Sequence, residues 1–310
     1  MNSLAQLAQY TDIVADTGDL KAIQQLQPLD ATTNPSLILK AVQNGANPEL
    51  LTRARQWQAK TGYPLVDCLL VSFGLAIKEL IPGYVSTEAD PSLSFDSQAT
   101  VNQARRLIEL YKQQGISKDK VLIKIAGTWQ GIQAAKQLEM EGIGCNITLI
   151  FNLVQARAAA QAKATLISPF VGRILDWYKT QQPDTDFTGL NDPGVQSVRQ
   201  IYQFYRQHGY PTIVMGASFR NSEQIRLLAG CDKLTISPAL LTELKDSQIP
   251  VPRQLQADNT AVGSSDPSLS QAQFELELCL DAMASFKLNE GIRLFVADQQ
   301  RLLALLESQA

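Results

Sequence analysis

The chain has 310 residues, 45% hydrophobic and 18% charged, with a formal net charge of −3, so it can build a sizeable core but has no basic excess for a nucleic-acid surface. Arg105-Arg106 lies in a helical pattern followed by Glu109 and reads as an exposed helix face. No run of about 18 apolar residues exists, which excludes a membrane-spanning helix, and Met1 to Tyr10 lacks a basic region followed by an apolar core, so a cytoplasmic location is expected.

Short apolar or β-branched runs alternate with helical patterns along most of the chain. Predicted strands are 12–16 (DIVAD), 30–33 (DATT), 84–88 (YVSTE), 121–126 (VLIKIA), 145–151 (CNITLIF), 165–170 (TLISPF), 212–217 (TIVMGA) and 232–237 (DKLTIS). Helical patterns fall at 98–114, 129–141, 153–162, 195–208 and 221–229. Gly115, Gly142 and Gly209 supply stops, and Asp192-Pro193 opens a helix. Strands joined by helical crossovers predict an α/β protein, a single (β/α)8 TIM barrel over 1–310. The alternative, a doubly wound open sheet, lacks a G-x-G-x-x-G after its first strand. Residues 180–194 read as a loop after the sixth strand, and 246–270 as a surface connection. Two C-terminal helices, about 271–286 and 289–307, fall outside the eightfold pattern. They are expected to pack outside the barrel, covering it or forming a partner surface.

Cys68, Cys145, Cys231 and Cys279 are widely spaced, with no C-x-x-C, which suits a reducing compartment and does not resemble a zinc site. His208 is the sole histidine and reads as the last turn of a helix stopped by Gly209. Histidine-rich metal sites are therefore excluded. A triad could use only that residue, so acid–base work falls to carboxylates, lysine, tyrosine or hydroxyls through water.

The most informative feature is Lys124 within Val-Leu-Ile-Lys-Ile-Ala at 121–126. The run is apolar on both alternating faces, as in a parallel strand buried on both sides. Burial favours the neutral form of an amine, which is then a nucleophile suited to Schiff-base formation with a carbonyl. The competing reading is a lysine that reaches water or pairs with a carboxylate. In a (β/α)8 barrel the functional residues gather at the C-terminal strand ends, which tests the idea. Those ends carry Asp16, then Thr32-Thr33-Asn34, then Ser86-Thr87-Glu88. Beyond Lys124 come Asn146 and Thr148, Ser168 with Arg173 after Phe170, and finally Ser218 and Arg220. An amine, two carboxylates, amides, hydroxyls and two guanidinium groups recur at successive ends. The set suits attack on a ketone, proton transfer through a carboxylate and hydroxyl, C–C cleavage beside an iminium, and phosphate binding by arginine. A phosphorylated ketose is the implied substrate.

The chain resembles the transaldolases over essentially its whole length. The resemblance rests on Val14-Ala-Asp-Thr-Gly-Asp19, Asp30-Ala-Thr-Thr-Asn-Pro-Ser36, Val85-Ser-Thr-Glu-Ala-Asp90 and Leu122-Ile-Lys-Ile-Ala126. It continues through Thr128-Trp-Gln-Gly131, Cys145-Asn-Ile-Thr-Leu149, Ile167-Ser-Pro-Phe-Val-Gly-Arg173, Val214-Met-Gly-Ala-Ser-Phe-Arg220 and Glu290-Gly-Ile-Arg293. It implies that Lys124 forms the Schiff base, Asp16 handles the protons of C–C cleavage and formation, and Glu88 and Thr148 manage the catalytic water. Asn34, Asn146 and Ser168 would bind substrate hydroxyls, and Arg173, Ser218 and Arg220 the phosphate. Members of this family move a dihydroxyacetone unit from sedoheptulose 7-phosphate to glyceraldehyde 3-phosphate in the non-oxidative pentose phosphate pathway. The products are erythrose 4-phosphate and fructose 6-phosphate. No metal or organic cofactor is implied, and a homodimer is the family's suggestion.

The related fructose 6-phosphate aldolases use the same lysine logic in a shorter chain. A hydroxylated ring at the position of Phe170 fits that activity better, so phenylalanine and the extra helices favour the transferase. A non-catalytic sugar-phosphate-binding protein would have lost one of Asp16, Glu88, Lys124 or Thr148, and none is missing. Residues 61–74, Tyr84 where arginine is usual, and the 246–270 connection depart from the family pattern without removing any residue assigned to chemistry.

Overall fold

The structure, a computed structural model, describes residues 1–45, 47–256 and 266–308. Eight parallel strands close into a barrel in sequence order. They are β1 (Asp12–Asp16), β2 (Asp30–Thr32), β3 (Val85–Glu88), β4 (Val121–Ala126), β5 (Cys145–Ile150), β6 (Leu166–Pro169), β7 (Ile213–Gly216) and β8 (Lys233–Ile236). Helix α1 (Ser3–Leu7) precedes β1, and α2 (Leu20–Leu26) joins β1 to β2. Three helices, α3 (Pro35–Gln43), α4 (Pro48–Thr61) and α5 (Leu65–Lys78), separate β2 from β3. Single crossovers α6 (Ser97–Gln113), α7 (Trp129–Met140) and α8 (Leu153–Gln161) lead to β4, β5 and β6. Then α9 (Val171–Gln181) and α10 (Pro193–Gln207) lead to β7, and α11 (Ser222–Arg226) to β8. The chain ends with α12 (Pro238–Asp246), α13 (Gln271–Leu280) and α14 (Ala282–Ser308).

The expected barrel is thus the observed one, and alternation along β4 explains its layers. Val121, Ile123 and Ile125 face the helical ring, while Leu122 joins Val14, Leu166 and Met215 in an apolar layer inside the barrel. Tyr84, flagged in the sequence, packs against that inner layer. The unfamiliar 61–74 segment is mostly the buried helix α5, apolar nearly all round, as a helix enclosed by neighbours should be.

Below the apolar layer, the barrel is tied by charge. Lys233 on β8 lies 2.8 Å from Asp30 on β2 and 2.9 Å from Asp12 on β1. Asp30 also accepts a 2.7 Å hydrogen bond from the Tyr84 amide, so one cluster joins the strands on both sides of the barrel's first pair. Lys233→Met would leave Asp30 buried without its cation. A loss of about 3–5 kcal/mol is expected, read from urea unfolding midpoints. A loss near zero would show that water replaces the lysine.

Two boundaries differ from expectation. The predicted loop over 180–194 does not follow β6 directly, because α9 begins at Val171 and the irregular stretch lies between α9 and α10. The C-terminal helices break at Asp281, not at 287–288. Asp281 takes an extended ψ of 93°, and its carboxylate accepts from the Ala284 amide at 3.0 Å, capping α14 without any Gly or Pro. The 246–270 connection includes residues 257–265, which lie outside the described residues. His208 ends α10 at Gly209, as the sequence predicts.

Helix α14 packs on α3, α9 and the end of β5. Its Leu288, Ile292 and Phe295 form an apolar cluster with Ala126, Leu149, Phe170 and Ala217, at the C-terminal ends of β4 to β7. Ser36 at the start of α3 donates a hydrogen bond to Asp298 on α14, fixing the helix across the barrel mouth. Among the described residues no helix is long and apolar enough to cross a membrane.

Candidate active site

Parallel register brings the polar strand ends together. Glu88 pairs with Lys124, and Lys124 with Asn146, on adjacent strands. Lys124 is 4% exposed, so its ammonium depends on protein partners. Its Nζ lies 3.0 Å from Glu88 Oε2 and donates to the Thr33 carbonyl at 3.3 Å. The buried lysine read from the sequence is therefore also one paired with a carboxylate. Burial pushes the Glu88 carboxyl above its usual pKa, against the opposing charges of Lys124 and Arg173.

Asp16 opens onto a cavity of about 230 Å³ that also exposes Lys124, Asn34, Ser168, Phe170, Arg173, Ser218 and Arg220. Burial raises the Asp16 pKa, while Lys124, a hydrogen bond from Thr32 and Arg173 pull it down. Thr32 Oγ1 donates to Asp16 at 3.1 Å and lies 2.9 Å from Thr235 Oγ1. Thr32 has one hydroxyl proton and uses it on Asp16, so Thr235 is the donor in the second contact.

Asn34 has two functions, since its Oδ1 caps α3 through the Leu37 amide at 2.9 Å while the residue lines the cavity. Asn146 and Thr148 are fully buried and do not line this cavity. Asn146 accepts from Ser168 at 2.7 Å and donates to Ser86 at 3.2 Å, which orients the Ser168 hydroxyl. Thr148 Oγ1 and Arg173 Nη1 are buried polar atoms without a hydrogen-bond partner among the described residues, and Glu88 Oε2 has the Lys124 ammonium beside it.

The cation pair lies on the far side of the cavity. Arg173 sits between two rings, 5.0 Å from the Phe170 centroid and 5.3 Å from that of Phe295. Burial and the charge of Arg220 hold its pKa below the usual guanidinium value. Gly172 permits this approach, because a Cβ there would lie 2.3 Å from the Ser218 carbonyl and 2.7 Å from Arg220. Ser218 itself takes φ 62°, a left-handed turn that brings its hydroxyl within 3.4 Å of Arg220. Arg220 is exposed and held by Asp176, at 2.7 Å from Nη2.

Several cavity residues were not singled out by the strand-end pattern. Thr235 and Ser237 come from the end of β8, and the strand-end rule extended by one strand would have found them. Phe295 lies on a helix and carried no local signal, nor did Asp176, which lies outside the cavity lining and pairs with Arg220. Among the described residues no three His, Cys, Asp or Glu side chains cluster as metal ligands.

The sequence signature of the Transaldolase/Fructose-6-phosphate aldolase family matches residues 13–306. A protein of Pseudoalteromonas atlantica named Transaldolase is 51% identical over 314 residues, covering 99% of each chain. One of the same name from Shewanella oneidensis is 51% identical over 315 residues, covering 99% of this chain and 98% of its own. The chain belongs to the transaldolase/fructose-6-phosphate aldolase family.

Proposed function

We propose that the chain, acting as one domain, is a transaldolase that carries a dihydroxyacetone unit on Lys124 from sedoheptulose 7-phosphate to glyceraldehyde 3-phosphate. The carrying observation is the buried Lys124 amine, 3.0 Å from Glu88, opening onto a cavity with Asp16 and the two arginines. Glu88, with its pKa raised by burial, accepts a proton from Lys124. The freed amine attacks the ketone, and Glu88 with Thr148 passes protons to and from the water lost in forming the imine. Asp16 takes the hydroxyl proton as the C–C bond breaks, releasing erythrose 4-phosphate and leaving a three-carbon enamine on Lys124. The acceptor aldehyde then adds to it, and hydrolysis returns the amine. Asn34 and Ser168 serve the sugar hydroxyls, Asn146 acting through the Ser168 hydroxyl it orients, and Arg173, Ser218 and Arg220 serve the phosphate. A cytoplasmic location follows from the sequence expectation, and a homodimer from the family resemblance.

Borohydride trapping with fructose 6-phosphate, followed by peptide mass spectrometry, tests this reading. A reduced three-carbon adduct on Lys124 supports it, and a folded protein with no adduct rejects it. Acceptor assays then separate the transferase from an aldolase that only releases dihydroxyacetone. Arg220→Ala should raise KM for fructose 6-phosphate about 10- to 100-fold, the value of a lost charge-assisted bond, with a smaller change in kcat. An equal loss on unphosphorylated fructose would remove the phosphate role.

A further inference from the structure

We propose that Phe295 on α14 is a specificity-determining residue that shields the Lys124-bound three-carbon unit from water, and so sets the balance between transfer and release. The proposal rests on the Schiff-base reading above. Two pockets meet at the barrel mouth. The larger, about 230 Å³, holds Lys124 and Asp16. The smaller, about 10 Å³, has room for about one water and is bounded by Glu88, Ala126 and Leu149. Phe295 lines both, and no other described residue does. Its ring is 3% exposed and covers one side of Arg173, while Phe170 covers another.

The wall is held in place from three sides. Gly291 lies one turn before Phe295 on the same helix face, and a Cβ there would come 2.8 Å from Leu149 Cδ2 and 3.2 Å from Arg173 Nη1. Leu149 takes φ 55°, and the β5–β6 register slips between Ile147 and Ile150. Strand alternation therefore ends at Thr148, and Leu149 joins the α14 cluster. A bulky residue in this conformation is unusual, and it brings the end of β5 against α14. The Ser36–Asp298 hydrogen bond fixes the following turn.

The chemistry shows what such a wall decides. In transfer, the enamine carbon bonds to the acceptor carbonyl carbon, and the acceptor oxygen takes a proton from Asp16. In release, a proton delivered through water adds to that same carbon, water adds to the iminium carbon, and the C–N bond breaks. That path consumes one water and yields free dihydroxyacetone and the amine. Both paths end in imine hydrolysis, so they differ in whether an aldehyde or a proton reaches the enamine first. Phe295 stands between the one-water pocket and the enamine's cavity.

The test compares dihydroxyacetone release from fructose 6-phosphate with transfer to erythrose 4-phosphate. Phe295→Ala should raise the release-to-transfer ratio by about tenfold, equivalent to ~1.4 kcal/mol in relative barrier. Phe295→Leu, which keeps apolar packing, should shift the same ratio in the same direction by less, and stands in if the alanine variant does not fold. Folded variants with trapped adduct and an unchanged ratio would overturn the proposal alone. A wild-type protein without adduct would remove the Schiff-base reading and this proposal together.

Discussion

Lys124→Arg is expected to lower kcat/KM by at least about 10⁴-fold, as loss of a covalent nucleophile does. The substitution keeps a cation beside Glu88, which otherwise would be a buried carboxylate facing no charge from β4. A structural role for the lysine would therefore survive the change, whereas imine formation would not, because a guanidinium stays protonated and does not form one. Thermal unfolding near the wild-type midpoint, together with absent turnover and no borohydride adduct, separates the two roles. Turnover above about one-hundredth of wild type would remove Lys124 from the covalent step.

Much of this site was legible because a parallel barrel strand has two unlike faces and one functional end. In 121–126 every residue but Lys124 is apolar, so the lysine stands out from residue order alone. Strand-end polar residues recur in chain order, and barrel closure converts that order into proximity. What stayed hidden depends on conformation or on distance along the chain. Leu149 sits in a run that reads as regular alternation, yet its left-handed φ of 55° ends the alternation. Asp281 breaks a helix by capping the next one, a signal weaker than Gly or Pro. Phe295 is one apolar residue among many on α14, and only packing of that helix across the barrel mouth places it beside Arg173. Asp176, likewise, becomes meaningful only through its contact with Arg220.

Asp16→Asn should slow turnover by about 10²- to 10⁴-fold, the range for a lost general acid–base group, while leaving the first covalent step in place. Asparagine keeps an acceptor for the Thr32 hydroxyl, so the Thr235–Thr32 chain persists. Without a base for the hydroxyl proton, the C–C bond stays intact. Borohydride should then trap a six-carbon adduct on Lys124 where the wild type gives a three-carbon one. The pH profile carries the same assignment. Asp16 must be ionised to accept a proton, and burial raises its pKa despite Lys124, Thr32 and Arg173. Activity should therefore fall on the acid side with a midpoint above the ordinary aspartate value of about 3.9. Thr32→Val removes a hydrogen bond that favours the carboxylate, so the acid limb should move to higher pH. A three-carbon adduct forming at the wild-type rate in Asp16→Asn would take the cleavage step away from Asp16 and leave its carboxylate only the task of holding charge near Lys124.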